Sequence, residues 1–472
     1  MFSPKVYSLL AFFLLFVGIQ HVCAQYRLTK RDTTFVIDNI YITGNKKTKK
    51  YIILREIELK KGDTVYLHQL LRRIKKSREN LMNRSLFNSV EITPQRHNFN
   101  KVDLYVEVTE RWYIWPIPII TYTDRNFNVW WETKNFSRLN YGINLTVFNF
   151  RGRMETLDVL LQGGYDKSLQ LSWEIPYINK KQKWGVLISA GVTLNHETDY
   201  KLRENKLVSY YTVKAYSKKW YFGSLSATFR PKYYYLHTLT LDFDHREYAD
   251  TLLKLNPEFA YTQNKFSYLS LEYNFKYDFR DYVPYPLKGF YAEADLRQEG
   301  LGLLSKEVNM LSFYLIFDQY LQLHKRWYFA YSLATEMVPA KYQPYFLQKG
   351  LGYKPIKIRG YQLYLVSGNW IGQVRSNIKF AIVPQKTALI PFIKTEKFNR
   401  FFYGLYANLF FDAAYVASTT PKNDRSFLNN KLLYGVGVGI DFVTYYDVVI
   451  RAEYVLNRNN QLHFFLSFVA PI

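Results

Sequence analysis

Leu269-Ser270-Leu271-Glu272-Tyr273-Asn274-Phe275-Lys276-Tyr277-Asp278 alternates apolar and polar side chains without a break. Successive residues of a strand point to opposite faces, so one face of this segment is apolar and the other polar or charged. The same period recurs in Leu169, Leu171, Trp173 and Ile175, interleaved with Gln170, Ser172 and Glu174. It recurs again in Trp370, Val374, Ile378 and Phe380, interleaved with Gln373, Arg375, Asn377 and Lys379. Long strands of this kind, continuing from Trp112 to the C-terminus, predict a transmembrane antiparallel β-barrel with lipid outside and water within. A soluble sandwich needs shorter strands and an apolar inward face.

The chain holds about sixteen such segments, an even number as bacterial single-chain barrels require. Short connections at 149–152, 179–181, 230–232, 281–289, 323–326 and 445–447 fall in one phase, with 385–400 as its long exception. Long connections at 195–206, 249–265, 341–368 and 418–430 fall in the other. The short phase is expected in the periplasm and the long phase at the cell surface.

Composition narrows the class. The 472 residues include 43 Tyr and 35 Phe, and aromatics make up 18% of the chain, yet the mean hydropathy is only −0.24. Apolar residues are diluted by polar ones throughout, and no long apolar run occurs outside the N-terminus, which excludes a helical membrane bundle. With 16 Pro the chain is not of disordered composition.

At the N-terminus, Lys5 precedes the apolar segment 9–19, and Val22-Cys23-Ala24 offers the small residues a signal peptidase reads. Residues 1–24 are expected to be a signal peptide, too short in its apolar core for an anchor. The single cysteine, Cys23, leaves with it, so the mature chain forms no disulfide. The formal net charge is +24. In an exported protein that charge points away from nucleic acid and toward outer-membrane lipid and anionic surface glycolipid.

Residues 25–111 read as a small α+β domain. A strand over 35–43 ends at Gly44-Asn45, Thr48 opens a short helix, and Leu67, Leu70, Leu71, Ile74 and Leu81 recur at helical spacing. Strands at 89–93 and 102–109 complete a three-stranded, helix-covered sheet whose free edge can take an extended peptide by main-chain hydrogen bonds. An inert spacer has the same pattern.

Two further motifs carry a resemblance. Ile358-Arg359-Gly360-Tyr361 sits in a long loop, and Phe410-Phe411-Asp412 sits on a strongly alternating strand. With Asp278-Phe279-Arg280-Asp281, Pro286 and Gly289, these match the loop, strand and turn motifs of the BamA/TamA superfamily of outer-membrane assembly and translocation proteins, the bacterial surface antigen family. The N-terminal unit resembles a POTRA domain. The resemblance implies a periplasmic domain at 25–111, a barrel at 112–472, no enzymatic activity and no cofactor or metal. It also implies unfolded or extended client proteins and accessory envelope proteins as partners. The chain departs from the pattern in having room for one POTRA domain.

The residues have their own physical reading. Strand phase turns Leu409 and Phe411 to lipid, so Phe410 and Asp412 face the lumen. On the next strand Tyr434, Val436, Val438 and Ile440 face lipid, and Gly435, Gly437 and Gly439 clear space inside. A loop folded inward can bring Arg359 to Asp412, with Gly360 allowing the turn. Alternatively, Asp412 only solvates the lumen. Pro116 and Pro118, two apart, both lack a donor toward the same neighbouring strand. If that neighbour is the last strand, the barrel closes weakly there; if it is the second, the clue fails. Two competing classes remain, a passive or substrate-specific channel and a rim enzyme built on Asp242, Asp244 and His245.

Overall fold

The structure is a computed structural model, described over residues 33–122, 139–260, 263–340, 343–353, 356–391, 393, 395–418 and 426–469. The expected signal peptide lies outside the described residues.

The N-terminal unit runs β1 (Thr34–Thr43), α1 (Lys50–Glu56), β2 (Thr64–Tyr66), α2 (Leu67–Met82), β3 (Phe87–Arg96) and β4 (Lys101–Glu110). Its sheet order is β2-β1-β4-β3, with β1 and β4 parallel and the other pairs antiparallel. The fourth strand is absent from the sequence reading. It spans three residues, too few to display a period, and pairs only with Thr34–Val36 of β1. Ile37 goes on to exchange backbone bonds with Gly62 and Asp63, and the Val90 carbonyl on β3 accepts from Arg78 Nε at 3.0 Å; among the described residues no further strand pairs with the rest of β1 on that side or with the outer side of β3. On α2 the buried stripe is Leu70, Ser77 and Leu81, whereas Leu67 and Leu71 are half exposed. Leu71 follows Leu70 by about 100° round the helix, which carries it off that stripe.

The second unit comprises β5 (Ile114–Tyr122), β6 (Leu139–Phe150), β7 (Glu155–Gly164), β8 (Lys167–Ile175), β9 (Trp184–Asn195), β10 (Glu197–Arg203), β11 (Lys206–Tyr211), β12 (Lys218–Phe229), β13 (Tyr235–Tyr248) and α3 (Asp250–Leu255). Then come β14 (Lys265–Asp278), β15 (Gly289–Glu299), β16 (Met310–His324), β17 (Trp327–Met337), β18 (Gly350–Leu351), β19 (Val366–Ser367) and β20 (Trp370–Leu389). The chain continues with α4 (Glu396–Asn399), β21 (Arg400–Ala417), β22 (Leu432–Val443), β23 (Val449–Asn457) and β24 (Leu462–Val469).

Sixteen of these strands form one antiparallel sheet in chain order from β5 to β24, with the hairpins β10–β11 and β18–β19 outside it. Among the described residues no helix is long and apolar enough to cross a membrane. All strands of that sheet but β24, which has 8 described residues, have the length for it, since a tilted strand crosses in about 9–11 residues. Faces follow the alternation: on β14, Leu271 and Tyr273 are 40% and 42% exposed while Ser270 is fully buried. The expected surface connection at 195–206 is itself structured, because β10 and β11 carry it on to Tyr211.

Candidate functional site: a loop in the lumen and a domain across the mouth

The connection between β17 and β20 folds into the barrel and brings Arg359 against Asp412 on β21. The Arg359 backbone N–H and Nε donate to Asp412 Oδ2 at 3.0 and 2.8 Å, and Nη2 donates to Oδ1 at 2.5 Å. The remaining nitrogen reaches Asn377 Oδ1 on β20 at 2.8 Å and Glu453 Oε1 on β23 at 3.3 Å. Beneath the guanidinium lies the Phe410 ring, 3.7 Å from Cζ. Asp412 and Phe410 are buried, and Arg359 is 6% exposed. An arginine fork suits this task because its planar donors match a carboxylate bidentately and stack on an aromatic face.

Backbone and apolar contacts fix the turn around that pair. Gly360 has φ +89°, in the left-handed region, and its carbonyl accepts from Asn457 Nδ2 at 3.0 Å. A Cβ at Gly435 would stand 2.3 Å from the Arg359 carbonyl oxygen, and one at Gly437 would stand 2.6 Å from the Phe410 ring. Gly439 shares their face but meets β23 rather than the loop. Ile358 and Tyr361 are buried among Leu351, Ala414, Val416 and Leu433, so the motif sits in a small apolar core against β21 and β22. Higher up, the loop is tied to other surface segments: the Tyr345 and Leu365 N–H groups donate to the Glu258 and Asn205 carbonyls, both at 2.9 Å.

At the other end of the sheet, the Phe148 N–H donates to the Tyr113 carbonyl at 2.8 Å, and the register continues Trp115 opposite Thr146 and Ile117 opposite Asn144. Bonded and non-bonded pairs alternate along an antiparallel ladder. Trp115 and Ile117 therefore bond to β6, and the nitrogens of Pro116 and Pro118 face away from it, toward the free edge of the sheet. No ladder joins β5 to β24 among the described residues. β5 is also apolar on both faces: Trp115, Ile117 and Ile119 share the inward face with Thr146, Asn144 and Gly142. The run Ile114-Trp115-Pro116-Ile117-Pro118-Ile119 carries that signal in the sequence as a lost period.

The largest feature that sequence reasoning misses is the contact between the two units. Glu56 on α1 is fully buried and accepts two bonds from Arg230, in the β12–β13 turn, at 2.5 and 2.8 Å. Burial pushes the Glu56 carboxyl up, but the Arg230 and Arg84 guanidiniums outweigh it and hold the group at about 2. Arg111, following β4, pairs bidentately with Asp447 in the β22–β23 turn at 2.5 and 3.0 Å. Between them, Asn83 bonds to the backbone of Arg280, Asp281 and Val283 in the β14–β15 turn, and Lys76 lies 4.2 Å over the Phe279 ring. The Lys49 N–H donates to the Gly152 carbonyl at 2.9 Å, in the β6–β7 turn. Eight of the sixteen strands, β13–β17 and β20–β22, separate the two ion pairs. The latches therefore stand half-way round the ring from each other, and the small domain bridges the mouth.

The three rim residues do not come together. Asp244 accepts from the Trp220 indole at 2.6 Å, Asp242 accepts from Arg297 at 2.8 Å, and His245 contacts Ser267 at 2.7 Å. Strand alternation puts His245 on the opposite face from Asp242 and Asp244.

The fold and site define a class: a β-barrel membrane protein plugged by its own loop, with a helix-covered sheet across one mouth. The Omp85 superfamily domain model matches residues 149–444, and the POTRA model, described as a surface antigen variable number repeat, matches residues 35–111. The chain belongs to the Omp85 superfamily. Members insert or translocate proteins at the outer membrane and are not enzymes. The barrel lies in the outer membrane with the POTRA domain in the periplasm. Among solved structures, CdiB from Escherichia coli is similar in fold, with 13% identity, a TM-score of 0.51, and 94% of this chain and 79% of that one covered. BamA from Haemophilus ducreyi lacking POTRA domains 1–3 has 15% identity, a TM-score of 0.48, and 92% and 84% covered. No curated protein matches the chain.

Proposed function

We propose that this protein captures extended client segments on its POTRA domain and passes them through or beside a gated barrel, inserting or translocating proteins at the outer membrane. The observation that supports gating is the buried Arg359–Asp412 tether. The tether holds the loop across the lumen and narrows any path through it. The sides of β1 and β3 on which no further strand pairs among the described residues suit main-chain pairing with an unfolded client. Two missing donors on the free side of β5 favour opening at that seam. Lipid and anionic surface glycolipid surround the barrel, and accessory envelope proteins are expected to approach the periplasmic domain.

Controlled depletion followed by quantification of the outer-membrane proteome tests the reading. Loss of many unrelated barrels identifies a general insertion factor, and loss of one or a few surface proteins identifies a dedicated translocator. An unchanged proteome rejects both.

A further inference from the structure

The lumen wall is uneven in charge. Asp242, Glu272, Asp295, Arg297, Glu299 and Glu336 gather on the inward faces of β13, β14, β15 and β17. Arg297 donates to Asp242 at 2.8 Å, to Glu272 at 2.5 Å and to Glu299 at 2.7 Å, so three carboxylates share one guanidinium. Asp295 accepts from the neutral Asn274 at 3.3 Å. Register sets Asp295 opposite Tyr314, and Tyr314 opposite Glu336, which carries the acidic surface onto β17.

Glu336 is 4% exposed, and its Oε2 has no hydrogen-bond partner among the described residues. A buried carboxylate oxygen without a partner is costly, and either a proton or a cation relieves it. Lys349 of the inward loop acts on Glu336 and Glu299 electrostatically, but no ion pair joins it to either among the described residues. The Arg359 end of the loop stands on β20, β21 and β23, a different arc of the wall.

We propose that this cluster is a docking surface for lysine and arginine side chains on an extended polypeptide in the lumen. Alternate residues of an extended segment face the same way, so a segment with basic residues at alternate positions presents them together to β13–β17. Five acidic side chains against Arg297 and the nearby Lys349 leave this arc of the wall acidic, and a confined wall screens the attraction less than bulk salt solution does. The inference rests on the reading that clients enter the barrel, and it names what the lumen selects.

The test uses the full-length protein in detergent and a labelled ten-residue peptide alternating lysine and threonine, with a glutamate–threonine peptide as control. The lysine peptide should bind, the glutamate peptide should not, and Glu272→Gln/Asp295→Asn/Glu336→Gln should weaken binding about tenfold or more. Equal binding to wild type and variant, or no binding to wild type, overturns the proposal. Should the triple variant fail to fold, Glu336→Gln alone and a photo-crosslinking lysine peptide replace it. Crosslinks must then map to β13–β17, and crosslinks elsewhere count against the site. Saturable Mg2+ binding lost in the variant, without peptide binding, makes it an inorganic-cation site and also overturns the polypeptide assignment. Peptide binding and client loss on depletion are separate readouts, so failure of this site is distinguishable from failure of the proposed function.

Discussion

Arg359 is the residue on which the loop turns. Its guanidinium answers carboxylates on two strands and an amide on a third, so removing one member of the central pair leaves the other with a single, longer ion pair, Arg375 at 3.4 Å for Asp412 or Glu453 at 3.3 Å for Arg359. Breaking a buried pair from one side costs up to about 3–5 kcal/mol, and these remaining partners lower that figure. Arg359→Ala and Asp412→Ala should each lower the temperature at which the folded barrel converts to its unfolded electrophoretic mobility. Wild-type behaviour in both would remove the tether from the account. Gly435→Ala offers an independent route, since its Cβ would strike the Arg359 carbonyl 2.3 Å away without altering either charged group. It should displace the loop and reproduce the loss, and protease resistance of the loop reports it. Alternation alone reveals that Phe410 and Asp412 point inward. It does not reveal Asn377 and Glu453 as partners, because polar inward residues are the norm in a water-filled barrel.

At the scale of elements, the two latches decide how the POTRA domain meets the barrel. Arg230→Ala removes the bidentate partner of Glu56, leaving only the more distant Arg84 at 3.7 Å and Arg55 at 3.9 Å with the Tyr177 hydroxyl at 3.3 Å, and should free that side of the domain while the Arg111–Asp447 side holds. Spin-label distances between α1 and the β12–β13 turn should broaden, and an unchanged distribution would argue against the latch. Glu56 titrates at about 2, below its ordinary 4.5. A carboxyl depressed on folding contributes fully above its unfolded value and loses that contribution as pH falls through the folded one. Docking at this latch should therefore hold from pH 7 to about pH 5 and weaken progressively below about pH 4.5. The same distances followed from pH 7 to pH 3 check this; loosening near neutral pH would contradict it.

Neither latch is legible in the sequence. The partners lie 174 and 336 residues apart, and each reads alone as a solvated charge on a helix or turn. β2 escapes notice for a different reason, its length. The prolines of β5 are legible as residues lacking donors, but the side they strip is set by register. Pro116→Val/Pro118→Val should restore two donors at the free edge and slow amide exchange along β5 and β24; exchange unaffected at both strands would count against the seam.

The whole molecule is closed twice. Surface segments and the inward loop pack above the lumen around Phe266, Tyr268, Val338 and Leu347, and the POTRA domain bridges the mouth below. The barrel and its strand number follow from a period of two sustained over the C-terminal three quarters of the sequence. The closure depends on contacts between segments that share no period, which is why the sequence shows a barrel more readily than it shows a gate. Single-channel recording in a planar bilayer tests the gate most directly. The account predicts small, fluctuating currents for the wild type and larger, steadier ones for Arg359→Ala combined with Arg230→Ala. A high, steady wild-type conductance, matched by the double variant, would contradict it and leave a passive pore.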